Sequence, residues 1–118
     1  MDDARIWAFE ESLWKADHEH YAESIDAEYV LVIPAPPYIA FGKGAVELLA
    51  QTPRWDEVVF SETQVGRPQE GLIVVAYRVM ATRGDEKYDA RCSSTYRRIE
   101  HEVWTVVQHQ QTPVLASD

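Results

Sequence analysis

Residues 72–112 read LIVVAYRVMATRGDEKYDARCSSTYRRIEHEVWTVVQHQQT, and this stretch decides the fold. It contains three long runs rich in β-branched and aromatic residues, and these runs span 72–83, 87–99 and 103–112. Short turns containing Gly84-Asp85 and Glu100-His101 separate them, and a similar run at 58–65 comes before. Long β-rich runs joined by short turns are typical of consecutive antiparallel strands. The second half of the chain is therefore predicted to form an antiparallel meander.

The first half of the chain has a different pattern. From Asp3 to about Ala22 there is no Gly or Pro, and the apolar residues at 6, 7, 9, 13, 14 and 16 share one helical arc. Asp17 is expected to cap a second short helix within this segment. Beyond it the sequence predicts strands at 29–33 and 38–41 and a helix at 45–50. Helices first and strands later predict an α+β fold, with N-terminal helices packed on a curved antiparallel sheet.

Composition restricts the possible functions. The chain has 118 residues, a net charge of -9 and a single cysteine. The negative charge argues against nucleic acid as a partner, and no apolar run approaches the roughly 20 residues of a membrane helix. Charged side chains throughout the first 20 residues leave no secretory signal core. The sequence therefore predicts a single cytoplasmic domain over residues 1–118.

Several short segments together carry a family resemblance. They are residues 11–14, the strand 29–34, Phe41-Gly42 before a short helix, residues 88–91 leading to 93–96, and Trp104 followed by 109–113. In these the chain resembles the nuclear-transport-factor-2-like superfamily, in its SnoaL-like and ketosteroid-isomerase-like branch, and its ending is similar to an uncharacterised subfamily. The resemblance implies a cone-shaped fold with a pocket at its open end and a homodimer formed through the sheet. The catalytic residues of the isomerases, cyclases and dehydratases of this family have no matching positions in this sequence.

Turn positions predict which strand residues share a face. A turn at Glu100-His101 places Cys92 opposite His109, and a turn at Gly84-Asp85 adds Tyr77 to the same face. That face also carries an apolar set and is expected to lie under the helices; the set is Ile73, Val75, Val79, Ala81 and Ala90. The opposite face would then expose Val74, Trp104 and Val106, which predicts that a second copy covers it.

Glu10 is the most informative charged residue, because it interrupts the apolar arc between Ile6 and Trp14. An unpaired carboxylate there is costly to bury. Three interpretations stay open: a general acid or base in a pocket, a structural ion pair with an arginine of the sheet, or exposure at the end of the cone. The arginines available for such a pair are Arg78, Arg91 and Arg97.

His109 is the second candidate general base, and Tyr77 is the candidate stabiliser of an oxyanion. The alternative for His109 is a strand histidine that is hydrogen-bonded within the sheet. No metal-binding motif is present, so no metal and no cofactor are expected.

These residues predict a mainly apolar pocket between the first helix and the helix-covered face of the sheet. Its lining is predicted to include Glu10, Trp14, Tyr29, Tyr38, Tyr77, Cys92, Ser94, Tyr96 and His109. The expected guest is a small apolar or aromatic ligand with one or two oxygens, although the aromatic side chains would equally serve to fill the cone. The leading functional hypothesis is a small-molecule-binding domain. A cofactor-free isomerase, cyclase or dehydratase using Glu10 or His109, and a dimerisation module alone, are the alternatives.

Overall fold

A computed structural model describes residues 1–115 of the chain. Three helices and six strands follow one another in the order α1 (Asp3–Lys15), α2 (His18–Ser24), β1 (Ile25–Val32), β2 (Ile39–Phe41), α3 (Lys43–Ala50), β3 (Glu57–Gln69), β4 (Leu72–Arg83), β5 (Glu86–Glu100) and β6 (Val103–Pro113). The strands form one sheet in the order β2-β1-β6-β5-β4-β3. The predicted α+β class, with N-terminal helices on a curved sheet, is confirmed.

The first two helices begin at aspartate caps. The Asp2 carboxylate accepts a hydrogen bond from the Arg5 amide at 2.8 Å, and the Asp17 carboxylate accepts one from the His20 amide at 3.0 Å. Each cap satisfies an amide that the first turn leaves without a partner, and each adds negative charge where the helix dipole is positive. The predicted division into two helices at Asp17 is confirmed.

The apolar arc of α1 rests on the sheet. Its buried side chains are Ile6, Glu10, Leu13 and Trp14. The sheet face beneath it is the predicted one, since Ile73, Val75, Tyr77, Val79, Ala81 and Ala90 are all buried. None of the helices within residues 1–115 is both long enough and apolar enough to cross a membrane.

The meander β3 to β6 is antiparallel throughout, as expected. The β1 strand differs, because it lies beside β6 and runs parallel to it, with Leu31 opposite His109. The prediction of an entirely antiparallel sheet is wrong at this pair. The hydrophobic pattern of a strand defines its faces but not its neighbour, and no turn connects two strands so distant in sequence.

The β5–β6 register also differs from the prediction. Glu100 pairs with Val103, so the turn is one residue later than expected, and further shifts follow within the ladder. Ser94 is therefore the residue opposite His109, and the predicted pairing with Cys92 is wrong. Relative to the predicted register, β5 is displaced by two residues opposite His109. Because side chains alternate between faces, a displacement of two keeps Ser94 and His109 on the helix-covered face.

A β-bulge in β6 changes which side chains need cover. Thr95 pairs with Gln108 and Tyr96 with Val106, which leaves Val107 as the extra residue. The bulge turns Val106 inward, where it is fully buried (0% exposed). Trp104 is also buried, with the Arg98 guanidinium 5.8 Å from its ring. The expectation that these two side chains need a second copy is wrong, because this chain covers both.

Candidate functional site

The Glu10 carboxylate is the centre of a buried hydrogen-bond network. Its side chain is 0% exposed. Ser94 Oγ donates to Oε2 at 2.7 Å, the Tyr77 hydroxyl donates to the same oxygen, and the Tyr96 hydroxyl donates to Oε1. Three hydroxyl donors thus satisfy both oxygens of a carboxylate that no water reaches.

Two of the alternatives for Glu10 are excluded by this arrangement. Glu10 is not exposed, and it forms no ion pair with the three candidate arginines. Those guanidinium groups instead bind other carboxylates, pairing Arg78 with Asp89, Arg91 with Glu62, and Arg97 with Asp26. Sequence reasoning could not have separated these cases, since the helical arc gives the face of Glu10 and not its partners.

His109 connects this carboxylate to the rest of the site. Its Nδ1 lies 2.7 Å from Ser94 Oγ and 3.6 Å from Glu10 Oε2, and its Nε2 lies 3.2 Å from Nε2 of Gln111. Burial lowers the pKa of His109, and the nearby Glu10 carboxylate only partly opposes this effect. The imidazole is therefore neutral at pH 7.

The donors and acceptors of the network assign the tautomer of His109. Ser94 gives its one hydroxyl proton to Glu10, so its oxygen must accept from Nδ1–H of the imidazole. Nε2 then accepts from the Gln111 amide, and the Gln111 carbonyl accepts from the Tyr88 hydroxyl at 2.9 Å. Every proton in this series points toward Glu10.

Trp14 completes the arrangement from the helix side. Its indole Nε1–H donates to the Tyr77 oxygen at 3.0 Å, and the Tyr77 proton goes to Glu10. We call the connected set the Glu10 network; its members are Glu10, Trp14, Tyr77, Tyr88, Ser94, Tyr96, His109 and Gln111.

A cavity of about 290 Å³ lies beside the Glu10 network. It is bounded by α1, α2, α3, β1 and the ends of β5 and β6, and the segments 33–35 and 52–55 complete its rim. The lining, which defines what we call the main cavity, is Leu13, Trp14, Tyr21, Tyr29, Leu31, Ile33, Pro34, Ala35, Ala45, Leu48, Leu49, Thr52, Arg54, Trp55, Tyr88, His109 and Gln111. A mostly apolar wall with a few polar groups is the usual construction of a small-molecule site.

The predicted site residues are divided between the cavity and the network behind it. Trp14, Tyr29 and His109 line the main cavity. Five others are buried but do not line it; they are Glu10, Tyr77, Cys92, Ser94 and Tyr96. Helical periodicity for Glu10 and strand alternation for the other four place these residues on the correct faces, but whether each reaches the cavity depends on how far the helices extend over the sheet.

Tyr38 and Tyr77 require corrections. Tyr38 follows the proline-rich segment, is 55% exposed and lies outside the main cavity, so its predicted place in the lining is wrong. Tyr77 uses its proton on Glu10 and its oxygen on Trp14, and it has no contact with the cavity. It positions the Glu10 carboxylate, which leaves it no proton for a substrate oxyanion.

Cys92 is the free cysteine of the described chain, and burial raises the pKa of its thiol. The Glu10 carboxylate raises this pKa further, and a buried, protonated thiol is a poor nucleophile. Nor do residues 1–115 bring together three His, Cys, Asp or Glu side chains that could hold a metal ion.

Sequence reasoning missed several lining residues. Gln111 is two residues from His109 on β6 and so shares its face, a signal that would have been sufficient to find it. Arg54 and Trp55 lie in an irregular segment after α3, where no periodic pattern indicates direction. Only the path of that segment brings them to the cavity.

Aromatic rings form one wall of the main cavity. Tyr88 stacks on Trp55 with ring centroids 5.9 Å apart and an interplanar angle of 16°, and the Trp14 ring lies 6.3 Å from Tyr88. The Arg83 guanidinium lies 4.2 Å above the Trp55 ring. Rings held in this way form a continuous apolar wall against which an apolar or aromatic ligand can pack.

Comparison with known proteins identifies the architecture. No protein-family model matches the chain, and no curated protein matches it. A candidate ketosteroid isomerase from Parabacteroides distasonis superposes with a TM-score of 0.81 at 20% identity, covering 96% of this chain and 88% of that one. The chain has the nuclear-transport-factor-2-like fold.

Two further structures share the nuclear-transport-factor-2-like fold with this chain. An NTF2-like protein of unknown function in nutrient uptake from Rhodospirillum rubrum has a TM-score of 0.77 at 16% identity, over 97% of this chain and all (100%) of that one. The association domain of CaMKII from C. elegans has a TM-score of 0.74 at 14% identity, over 92% and 91%. Identities this low establish the fold alone and say nothing about the function of this chain.

Proposed function

We propose that this protein binds one small, mostly apolar molecule in the main cavity. The observation that carries the proposal is the cavity itself, which is apolar over most of its wall and includes His109 and Gln111 in its lining. Its volume of about 290 Å³ lies at the lower end of the usual range for ligand sites, which favours a ligand of one or two rings. The similarity to a candidate ketosteroid isomerase is compatible with an apolar small-molecule ligand.

A thermal-shift screen of aromatic, steroid-like and polyketide-like compounds tests this proposal. Leu49→Trp should abolish the shifts, because Leu49 lines the main cavity and the larger ring would fill it. Val46→Trp is the matched control, since Val46 lies on the same helix but outside that cavity. If no compound stabilises the parent protein, or if Leu49→Trp binds as well as Val46→Trp, the proposal is wrong.

A second candidate function is proton-transfer catalysis, and the Glu10 network favours it. His109 lines the cavity, and its Nδ1 is connected to the buried carboxylate through Ser94. A proton taken by Nε2 from a substrate would be balanced by transfer of the Nδ1 proton to Ser94 and of the Ser94 proton to Glu10. The histidine is thus returned to a neutral form. A substrate must first displace the Gln111 amide from Nε2.

Solvent-deuterium exchange tests the catalytic candidate. A bicyclic aryl ketone such as α-tetralone, incubated in D₂O, should acquire deuterium next to its carbonyl faster with the parent than with His109→Gln, by about a hundredfold or more. Ser94→Ala should also slow exchange, since it interrupts the path to Glu10. Equal exchange rates for the parent and His109→Gln would exclude catalysis while leaving the binding proposal intact.

We also propose that two copies of the chain associate through the outer sheet face. Val30, Val74, Val59 and Met80 are exposed there on three strands. The similarity to an association domain is compatible with this arrangement. Should no small molecule bind, dimerisation alone would be the remaining function.

A further inference from the structure

Arg54 is the cation of the main cavity, and its charge lacks an anionic partner. The side chain is partly buried among apolar groups, and within residues 1–115 no carboxylate pairs with it. Its Nε donates to the Ala16 carbonyl at 2.7 Å, and its Nη2 donates to the Leu13 carbonyl. These are carbonyl groups at the end of α1, which compensate a positive charge only in part.

A guanidinium has five N–H donors, and the two bonds to α1 leave others for a ligand. Burial lowers the pKa of Arg54, the expected response to a charge whose solvation is incomplete. A carboxylate from a bound molecule would supply the missing countercharge. It would also satisfy two guanidinium donors at once.

The tyrosine pair at the same cavity adds a second donor. The hydroxyls of Tyr21 and Tyr29 lie 2.6 Å apart and both rings line the cavity. One of their two protons is used within the pair, and the other has no acceptor among residues 1–115. Burial raises the pKa of Tyr21 to about 12, against the opposing effects of Tyr29 and of the nearby Arg54 guanidinium. The pair is therefore neutral and can donate.

We propose that the main cavity selects an aromatic carboxylic acid, with its carboxylate at Arg54 and the Tyr21–Tyr29 pair and its ring against Trp55 and Tyr88. This inference rests on the proposed binding function and specifies the class of ligand. Salt screens the surface charges that make up most of the net charge of -9 beyond about 8 Å. The buried Glu10 carboxylate does act on Tyr21 and Tyr29, raising the pKa of both, so the direct contact with Arg54 has to outweigh its repulsion.

Two probes of the same shape test the inference. 2-Naphthoate carries a carboxylate at neutral pH, and 2-naphthamide replaces it with an uncharged amide. Titration followed by tryptophan fluorescence or calorimetry should show that the parent binds the acid about tenfold more tightly than the amide. With Arg54→Gln the ratio should fall to about one, while the affinity for the amide is retained.

The readout is the ratio of the two affinities, because a variant that destabilises the whole protein would weaken the binding of both probes to the same extent. Arg67→Gln is the control: Arg67 pairs with Asp3 at 2.8 Å and does not line the main cavity, so its removal should preserve the ratio. Tyr21→Phe should reduce the ratio without removing a charge. It serves as the second variant should Arg54→Gln fail to fold.

Three outcomes would overturn the inference. If the parent binds acid and amide equally, the cavity does not select a carboxylate, although the proposed binding function stands. The same conclusion follows if the parent prefers the acid and Arg54→Gln keeps that preference. If neither these probes nor any compound of the thermal-shift screen binds the parent, the binding function and the inference both fail.

Discussion

Within residues 1–115 the Glu10 carboxylate is held by three hydroxyl groups and by no cation. An arginine would fix the charge of Glu10, because a guanidinium does not release its proton. The hydroxyl of Ser94 both donates to Glu10 and accepts from His109, so it can pass a proton from one to the other. The same contacts make the carboxylate indispensable to the packing around it.

Glu10→Gln is expected to destabilise the protein by roughly 1.5–3 kcal/mol. The amide nitrogen of glutamine would face a hydroxyl of Tyr77, Ser94 or Tyr96 that now donates to a carboxylate oxygen. Urea unfolding measures the difference. Glu11→Gln, on the same helix but partly exposed, is the control and should resemble the parent. Equal midpoints for both variants would contradict the buried network.

The stability of the protein should fall as the pH is lowered from about 7.5 to 5.5, and His109 should contribute to this fall. Burial sets the native pKa of His109 below its unfolded value of 6.5. The unfolded chain therefore binds the proton more readily between the two values, and stability is lost below pH 6.5. Urea midpoints across this range should show a smaller slope for His109→Gln. An unchanged slope would mean that His109 is not buried as a neutral ring.

At the scale of an element, α3 owes its position to one glycine. Gly42 precedes α3 with a φ of +51°, a conformation that side chains rarely adopt. A Cβ at this position would lie 2.8 Å from the Ala27 carbonyl oxygen of β1. The close approach lets α3 pack against β1 and bring Leu48 and Leu49 to the main cavity.

Gly42→Ala should destabilise the protein by about 1–3 kcal/mol, because the added methyl group meets backbone in a strained conformation. Thermal and urea unfolding measure the change, and the binding of any ligand found should weaken with it. Gly44→Ala is the control within the same helix, since a Cβ there meets nothing within 4 Å. It should be neutral or stabilising by about 0.5–1 kcal/mol. The same loss in both variants would contradict the role given to Gly42.

At the scale of the whole molecule, the helices cover only one face of the sheet. The covered face contains the Glu10 network and the main cavity. The outer face has charged groups paired across strands at one end, such as Arg78 with Asp89, and exposed apolar groups elsewhere. Val74, on this face close to the turn between β3 and β4, is 38% exposed. Apolar exposure of this kind is what the proposed contact between two copies would remove.

Sedimentation should therefore give a mass about twice the 13.5 kDa of one chain at micromolar concentration. Val74→Lys should shift the population toward the monomer, because it places two like charges in a symmetric interface. Gln51→Lys adds the same charge at the end of α3 and should leave the dimer intact. A parent protein that sediments as a monomer would exclude the proposed dimer.

Local patterns in the sequence were sufficient for the elements and their faces. The apolar arc of α1, the aspartate cap of α2 and the alternation along β4 and β5 predict structure from neighbouring residues alone. They placed Tyr77, Ser94 and Tyr96 under the helices and identified Glu10 as anomalous, because the periods of helix and strand are local properties.

Tertiary structure alone decided which of those residues meet and which of them reach the cavity. The parallel pairing of β1 with β6 and the bulge at Val107 have no local signal, since they depend on contacts between distant parts of the chain. These contacts set Ser94 opposite His109 and turn Val106 inward. The path of the segment after α3 likewise brings Arg54 to the cavity. Periodicity specifies the direction of a side chain, whereas its depth and its partners are set by the packing of the whole fold.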